Sequence, residues 1–320
     1  MTYDSIKNFH LQFGFQPKIE NAARLLQRKK FVVAGMGGSH LAADLLRAVR
    51  PMLDVIIHSD YGLPAQDIHD RLVIASSYSG NTEETVDALR EARQRRLPCA
   101  VIATGGTLLR DARRSRIPYI QLPDLKVEPR AALGVSFMAM LRIIGDRTML
   151  RDAAGLPHTL RPSAYESEGK KLAAALKGKV PIVYASARNA PIAYNWKIKF
   201  NETGKVPAYM NVVPELNHNE MNGFDVTPQT RPLSKSFHFL FLADSKDDAR
   251  IQKRMRMLQK LYRARKLPVK ELPLDGRSVL ERAVSSLVLA DWTAYYTARG
   301  HGGSPDGVPI VEEFKSLMKK

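Results

Sequence analysis

Two short segments in the first third of the chain combine glycine with hydroxyl side chains in a way that suits the binding of phosphate. Residues 35–39 read GMGGS, and residues 77–82 read SYSGNT. Each segment follows an apolar run and precedes a segment of helical periodicity, as expected for a loop between a strand and the N-terminus of a helix. Glycine lets the backbone approach an anion, hydroxyls donate hydrogen bonds to it, and a helix N-terminus adds unpaired N–H groups. The second segment is therefore predicted to bind a phosphate group.

The two segments have other interpretations. Residues 35–39 alone fit an ordinary tight turn as well as they fit a phosphate loop. In residues 77–82, Asn81 followed by Glu84 resembles a capping box, but three hydroxyls in six residues exceed what a helix cap requires. A dinucleotide fingerprint would need glycine at position 40, where the sequence has His40. A nicotinamide cofactor is therefore not favoured.

The elements that must position these loops alternate between strands and helices. Apolar, β-rich runs predict five strands in the first half, at residues 30–35, 54–57, 71–76, 99–104 and 119–122. Amphipathic segments between them predict helices. One of these follows the segment 77–82 and continues to about Arg96, with Val86 and Leu89 facing inward. Residues 131–151 are predicted as one helical stretch. Alternation of this kind predicts an α/β fold with a mostly parallel sheet covered by helices on both faces.

The second half repeats this plan loosely. Strands are predicted at residues 179–185, 236–243 and 269–272, and long helices at residues 247–265 and 279–298. Both halves open with a strand, a turn and a helix, which indicates an internal duplication. Residues 156–168 are predicted as the linker. We therefore expect two domains, residues 1–155 with the phosphate loops and residues 156–320 with a C-terminal helix.

Composition narrows the class of protein. The chain has 320 residues, a net charge of +17 and one cysteine, Cys99. A single cysteine allows no disulfide within the chain and points to a reducing compartment, so we expect a cytoplasmic protein. The sequence contains neither an apolar run of about 18 residues nor a signal-peptide pattern at residues 1–10, and no membrane association is predicted. The basic residues are dispersed over helices without a nucleic-acid-binding motif, so nucleic acid is not favoured as a partner.

Four motifs together resemble those of a known family. They are GMGGS at residues 35–39, SYSGNTEET at 77–85, EPR at 128–130 and PELNHNE at 214–220. The chain resembles the bifunctional phosphoglucose/phosphomannose isomerases of archaea and some bacteria, which belong to the sugar isomerase (SIS) domain superfamily. The resemblance covers nearly the whole chain, and EPR together with NHNE is its most specific part. It implies interconversion of glucose 6-phosphate and fructose 6-phosphate, with mannose 6-phosphate as a further substrate, in glycolysis and gluconeogenesis and without a metal or an organic cofactor.

The resemblance also implies which residues bind the phosphate of the sugar. By the positions that match the family motifs, these residues are Gly38, Ser39, Ser77, Ser79 and Thr82. They belong to the same two segments that the local pattern of glycine and hydroxyls singles out.

Four further residues receive catalytic roles from the resemblance. Arg130 would stabilise the charge on an enediolate, Glu202 would be the general base, and His218 would open the sugar ring from the neighbouring subunit of a homodimer. Lys315, on the terminal helix, would return to the active site. From the residues alone, Glu202 is an ordinary helical surface charge and Arg130 an ordinary structural arginine. The chemistry is nevertheless coherent, because one carboxylate can carry a proton between carbons 1 and 2 and a guanidinium suits a developing oxyanion.

Two departures from the family pattern and two alternative functions remain. His40 stands where the family has a small residue, and residues 303–308 lack a threonine that the family links to mannose 6-phosphate. A non-catalytic SIS protein that senses a sugar phosphate would keep the two loops but would not need Glu202 and His218. A nucleic-acid-binding regulator would need a helix-turn-helix region, and the sequence shows none apart from the two domains.

Overall fold

The computed structural model describes residues 2–318. The chain divides into two compact units. Residues 7–161 form the N-terminal unit, and residues 162–318 form the C-terminal unit together with residues 2–6, which belong to helix α1 (Thr2–Lys7). The division falls after Arg161, a few residues beyond the boundary that the sequence suggests. Residues 156–168 are largely helical, whereas the sequence predicts a linker there.

The N-terminal unit is built on five parallel strands. These are β1 (Lys30–Ala34), β2 (Asp54–His58), β3 (Leu72–Ser76), β4 (Cys99–Ala103) and β5 (Tyr119–Gln121). The strands lie in the order β2-β1-β3-β4-β5, and every neighbouring pair is parallel. All residues of β3 are buried, as expected for a central strand that is covered on both faces. The strands predicted from the sequence are confirmed.

Helices connect and cover this sheet. They are α2 (Leu41–Val49), α3 (Glu83–Gln94), α4 (Gly106–Arg114), α5 (Leu133–Ile144), α6 (Arg147–Ala154) and α7 (Leu156–Thr159). The single helical stretch predicted for residues 131–151 is wrong, because Gly145 adopts a left-handed conformation (φ 78°) and ends α5. Asp146 then starts α6 by accepting a hydrogen bond from the backbone N–H of Met149 at 2.9 Å.

The C-terminal unit contains a four-stranded parallel sheet. Its strands are β6 (Val180–Ser186), β7 (Tyr209–Val213), β8 (Phe237–Ala243) and β9 (Val269–Pro273), in the order β7-β6-β8-β9. Strand β7 was not predicted from the sequence, because it is a partly exposed edge strand without a continuous apolar run. The order β2-β1-β3-β4 of the N-terminal unit therefore recurs as β7-β6-β8-β9. The predicted fold class, an α/β protein with two mostly parallel sheets flanked by helices, is confirmed.

Helices surround the second sheet as well. They are α8 (Glu166–Ala175), α9 (Ala190–Glu202), α10 (Arg231–Ser234), α11 (Ala249–Ala264), α12 (Val279–Gly300) and α13 (Pro309–Met318). The centre of this unit is an aromatic cluster that includes Tyr184, Phe239, Phe241 and Tyr262. Among the helices of residues 2–318, none combines the length and the apolar character needed to span a bilayer.

Candidate active site

Two glycines of the segment 35–39 lie where other backbone segments approach very closely. A Cβ atom added to Gly35 would lie 2.7 Å from the carbonyl oxygen of Ser76, and one added to Gly38 would lie 2.5 Å from the backbone nitrogen of Arg130. A side chain at either position would collide with backbone, so glycine is required. The loop 35–39 therefore packs against the end of β3 and against the turn that carries Arg130.

Ser39 joins the two predicted phosphate loops. Its buried Oγ accepts a hydrogen bond from the backbone N–H of Tyr78 at 3.0 Å, and its carbonyl accepts one from Ser76 Oγ at 3.2 Å. A hydroxyl can accept and donate at once, so Ser39 can hold Tyr78 and still donate its proton to an anion. The structure thus places the loops 35–39 and 77–82 side by side at the carboxyl ends of β1 and β3, where ligands of open α/β sheets bind.

The loop 77–82 is folded by its own hydroxyls. Ser77 Oγ and Thr82 Oγ1 are 2.8 Å apart, and Ser77 Oγ also accepts a hydrogen bond from the N–H of Gly80 at 3.1 Å. Ser79 is exposed, and its Oγ accepts a hydrogen bond from the N–H of Asn81 at 3.3 Å. Ser77 and Thr82 therefore form the base of the loop, and Ser79 lies at its surface.

The capping-box interpretation of this loop is wrong. The N-cap residue of α3 is Thr82, and its side chain makes no capping hydrogen bond. The side chain of Asn81 instead accepts a hydrogen bond from the backbone N–H of Thr107 in α4, at 2.9 Å. The first turn of α3 therefore keeps backbone N–H groups that no side chain caps, as suits an anion at a helix N-terminus.

Arg130 lies beside the first of these loops. It is 4% exposed, and its Nη1 is 3.8 Å from a carboxylate oxygen of Glu128. Its backbone packs against Gly38, so Arg130 directly adjoins the loop 35–39. A planar, permanently charged group in this place suits a phosphate or a developing oxyanion.

His40 is also buried in this region. Its Nδ1 lies 2.8 Å from a carboxylate oxygen of Asp44, one turn further along α2. The departure from the family pattern at position 40 therefore introduces an imidazole that is paired with a carboxylate of the helix that follows it.

Glu202 is the last residue of α9 in the C-terminal unit, and it is partly exposed. Phe200 beside it is fully buried. Lys205 Nζ donates a hydrogen bond to the carbonyl oxygen of Glu202 at 2.7 Å and another to the carbonyl oxygen of Gly307. The end of α9 is therefore tied to the segment 303–308, in which the expected threonine is missing.

His218 lies in the exposed loop after β7. Its backbone N–H donates to the carbonyl oxygen of Glu215 at 2.9 Å. Two residues later, the carboxylate of Glu220 accepts hydrogen bonds from the hydroxyl of Tyr184 and from Asn211 Nδ2. Glu220 is the last residue of the motif PELNHNE, but no role was predicted for it, for Tyr184 or for Asn211. The position of Tyr184 in a predicted strand indicated only that it would be buried.

Lys315 lies on α13, a helix in which every described residue is exposed. Its Nζ is 2.8 Å from a carboxylate oxygen of Glu312, and its side chain is 59% exposed. The predicted terminal helix therefore exists. In the segment before it, Pro305 is buried and the carboxylate of Asp306 accepts a hydrogen bond from the backbone N–H of Thr2 at 2.9 Å.

The predicted site residues thus fall into two sets. The N-terminal unit brings together six of them in its loops: Gly38, Ser39, Ser77, Ser79, Thr82 and Arg130. The C-terminal unit holds Glu202 at the end of α9, His218 in the loop after β7 and Lys315 on α13. Within residues 2–318, histidine, cysteine and carboxylate side chains form no group of three or more that could hold a metal ion.

Comparison with known proteins identifies the class to which this architecture belongs. Residues 165–318 match the family described as the bacterial phospho-glucose isomerase C-terminal SIS domain. The crystal structure of tagatose-6-phosphate ketose/aldose isomerase from Escherichia coli superimposes with a TM-score of 0.69 at 17% identity, covering 96% of this chain and 95% of that chain. The fold is that of the SIS-domain phosphosugar isomerases.

Sequence relatives define the family more closely. The bifunctional phosphoglucose/phosphomannose isomerase of Aquifex aeolicus is 32% identical over 99% of this chain and 98% of its own length. The enzyme of the same name from Caldicellulosiruptor bescii is 33% identical over 90% of this chain and 89% of its own length. The chain belongs to the bifunctional phosphoglucose/phosphomannose isomerase family, which confirms the resemblance seen in its motifs.

Proposed function

We propose that this protein is an aldose–ketose isomerase that interconverts glucose 6-phosphate and fructose 6-phosphate and also accepts mannose 6-phosphate. The observation that carries the proposal is the similarity, over nearly the whole chain, to isomerases named for both aldose phosphates. The joined loops 35–39 and 77–82 support it independently, because they form an anion site without a carboxylate in either loop.

The N-terminal unit would hold the phosphate of the sugar. The hydroxyls of Ser39 and Ser79 would donate to its oxygens, and so would one hydroxyl of the pair Ser77 and Thr82, since the other donates within the pair. The glycine at position 38 would allow the backbone to approach. The uncapped first turn of α3 adds N–H donors and the positive end of a helix dipole. Such a site binds the group that glucose, fructose and mannose 6-phosphates share, so selection among them must occur at the other end of the sugar.

The proton transfers follow from the chemistry of the substrate. His218 would take the proton of the hydroxyl on carbon 1 and deliver one to the ring oxygen, which opens the ring. Glu202 would then take the proton from carbon 2, giving a cis-enediol, and return it to carbon 1, while a hydroxyl proton passes from oxygen 2 to oxygen 1. Arg130 would stabilise the negative charge of the enediolate, and Lys315 would approach the reacting end from α13.

The working assembly would be a homodimer in which His218 reaches the site of the neighbouring subunit. The exposure of the His218 loop and of the whole of α13 supports this assignment, because both are accessible to a second chain. We place the enzyme in the cytoplasm, where a protein with a single free cysteine stays reduced.

A coupled assay on fructose 6-phosphate tests the proposal. Glucose 6-phosphate and mannose 6-phosphate are recorded separately for the wild-type protein and for Glu202→Gln, and sedimentation equilibrium reports the oligomeric state of both. Formation of both products by the wild type and a loss of about 10²- to 10⁴-fold in the variant are expected, because a neutral amide cannot accept the proton. Glucose 6-phosphate as the sole product would mean that the segment 303–308 excludes the epimer.

The same assay separates the enzyme from a sugar-phosphate sensor. A sensor would bind fructose 6-phosphate without converting it, and Glu202→Gln would bind it equally well. Folded wild-type protein that binds the sugar phosphate but shows no turnover would therefore overturn the isomerase in favour of the sensor.

A further inference from the structure

Residues on two neighbouring strands donate hydrogen bonds to the carboxylate of Glu220. Tyr184 on β6 pairs in register with Asn211 on β7, so both side chains leave the sheet on the same face. The hydroxyl of Tyr184 donates to one carboxylate oxygen of Glu220, and Asn211 Nδ2 donates to the other at 2.5 Å. Both carboxylate oxygens of Glu220 are thus held by donors from the sheet.

Tyr184 is itself closely packed. It is fully buried, and its ring lies 5.7 Å from that of Phe239, 5.2 Å from that of Phe241 and 6.4 Å from that of Tyr262. Burial raises the pKa of its phenol far above the usual range, and the nearby Tyr262 and Glu220 add to this effect. Burial therefore favours the protonated phenol, the form that donates a hydrogen bond to Glu220.

The side chain of His218, by contrast, has no anchor of its own. Within residues 2–318 its imidazole makes no hydrogen bond or ion pair, and its place depends on the backbone of its loop. On one side this backbone is held by Glu215, whose carbonyl oxygen accepts from the N–H of His218 and whose carboxylate accepts from Asn219 Nδ2, both at 2.9 Å. On the other side the next fixed point is Glu220.

We propose that Glu220 is a positioning residue for His218, because it pins the loop of that histidine to the β6–β7 face of the sheet. The inference rests on the proposed function, since the position of the imidazole matters only if it handles the sugar ring. A misplacement of about 1 Å in a catalytic group can cost about 10²-fold in rate. Glu220 would therefore govern turnover without touching the substrate.

Kinetics of single variants give the first readout. Glu220→Ala is expected to lower kcat by about 10- to 100-fold with KM nearly unchanged, because the phosphate loops lie elsewhere. Tyr184→Phe keeps the buried ring and removes one donor to Glu220, so it should lower kcat in the same direction by less. The matched control is Glu271→Ala, whose carboxylate accepts a hydrogen bond from Gln259 Nε2 at 2.5 Å in the same unit. It should leave kcat unchanged.

A double-mutant cycle with His218→Ala then decides the matter. If Glu220 acts through His218, the double variant should be no slower than His218→Ala alone. Tyr184→Phe replaces Glu220→Ala in the cycle if thermal unfolding shows that the alanine variant is not folded. Losses that multiply would overturn the positioning role while leaving the proposed function intact. If His218→Ala instead turned over at the wild-type rate, the role of His218 in the proposed function would fail, and this inference would fail with it.

Discussion

The loops that follow corresponding strands of the two sheets differ in their acidic residues. In the N-terminal unit, the loops 35–39 and 77–82 that follow β1 and β3 contain glycine and hydroxyl residues and no acidic residue. In the C-terminal unit, β6 and β8 occupy the equivalent places in the strand order. The segment after β8, however, contains three carboxylates, Asp244, Asp247 and Asp248.

The carboxylates of Asp244 and Asp247 are buried, and neighbouring side chains satisfy them. Ser186 Oγ donates to Asp247 at 2.9 Å, and Asn189 Nδ2 donates to Asp244 at 3.2 Å. The guanidinium of Arg282 lies 3.8 Å from the carboxylate of Asp244. Two buried carboxylates thus lie in the C-terminal unit at the place that corresponds to the predicted phosphate loops of the N-terminal unit.

This difference shows how a duplicated architecture can serve two purposes. The strand order decides where a ligand can bind, because ligands of open α/β sheets bind beyond the carboxyl ends of the strands. The charge of the loops decides whether an anion binds there. One copy can therefore hold a phosphate, whereas the other uses the same place for a hydrogen-bonded carboxylate cluster.

The largest effect on KM is expected when the loop 77–82 is given a negative charge like that of the segment after β8. Ser79→Asp should raise KM for fructose 6-phosphate by about 100-fold or more, because like charges a few ångströms apart repel by about 4 kcal/mol near a protein surface. Ser79 is exposed, so the fold should tolerate the change. The matched control is Ser245→Asp, an exposed position in the corresponding loop of the C-terminal unit, which should leave KM unaltered. A wild-type KM for Ser79→Asp would place the phosphate away from this loop.

A smaller effect is expected from removing the equivalent serine hydroxyls. Ser39→Ala should raise KM by about 10-fold, the worth of one hydrogen bond to a charged group. Ser186→Ala should leave KM unchanged and lower the midpoint of thermal unfolding, because it takes a donor from the buried Asp247. Steady-state kinetics and calorimetry on both variants measure the two effects. If Ser39→Ala changed only the unfolding midpoint, Ser39 would be a structural residue like Ser186.

Features defined by local sequence were predicted well. The buried strands read as continuous apolar runs. The loops 35–39 and 77–82 stand out because their glycines and hydroxyls are close together in the chain, and phosphate binding by them stays a prediction. Long-range contacts carried no such signal. The hydrogen bonds of Glu220 to Tyr184 and Asn211 join residues on separate strands, and one of these strands, β7, was itself missed. The side chain of Asn81 likewise binds a distant helix, so its local resemblance to a capping box was misleading.

The smallest expected effect is a pH dependence of stability that has opposite signs at two adjacent residues. Burial raises the pKa of Asp247, and the nearby charge of Asp244 raises it further, whereas the hydrogen bond from Ser186 acts in the opposite direction. Between the ordinary carboxylate value of about 3.9 and this raised pKa, the folded state binds more protons than the unfolded state, so the stability that Asp247 contributes falls as the pH rises. Exposed Asp248 behaves oppositely, because Arg250 lowers its pKa to about 2, and its contribution is lost as the pH falls.

Thermal unfolding of the wild type, Asp247→Asn and Asp248→Asn between about pH 3 and pH 7 measures these contributions as differences between the wild type and each variant. As the pH rises, the wild type should lose stability relative to Asp247→Asn. The reason is that asparagine keeps an oxygen for Ser186 but carries no buried charge. Over the same range, the wild type should gain stability relative to Asp248→Asn, since the variant lacks the charge that pairs with Arg250. If the two stability differences changed in the same direction, the folded protein would stabilise the ionised form of Asp247 as it does that of Asp248. The surroundings of Asp247 would then not disfavour a negative charge.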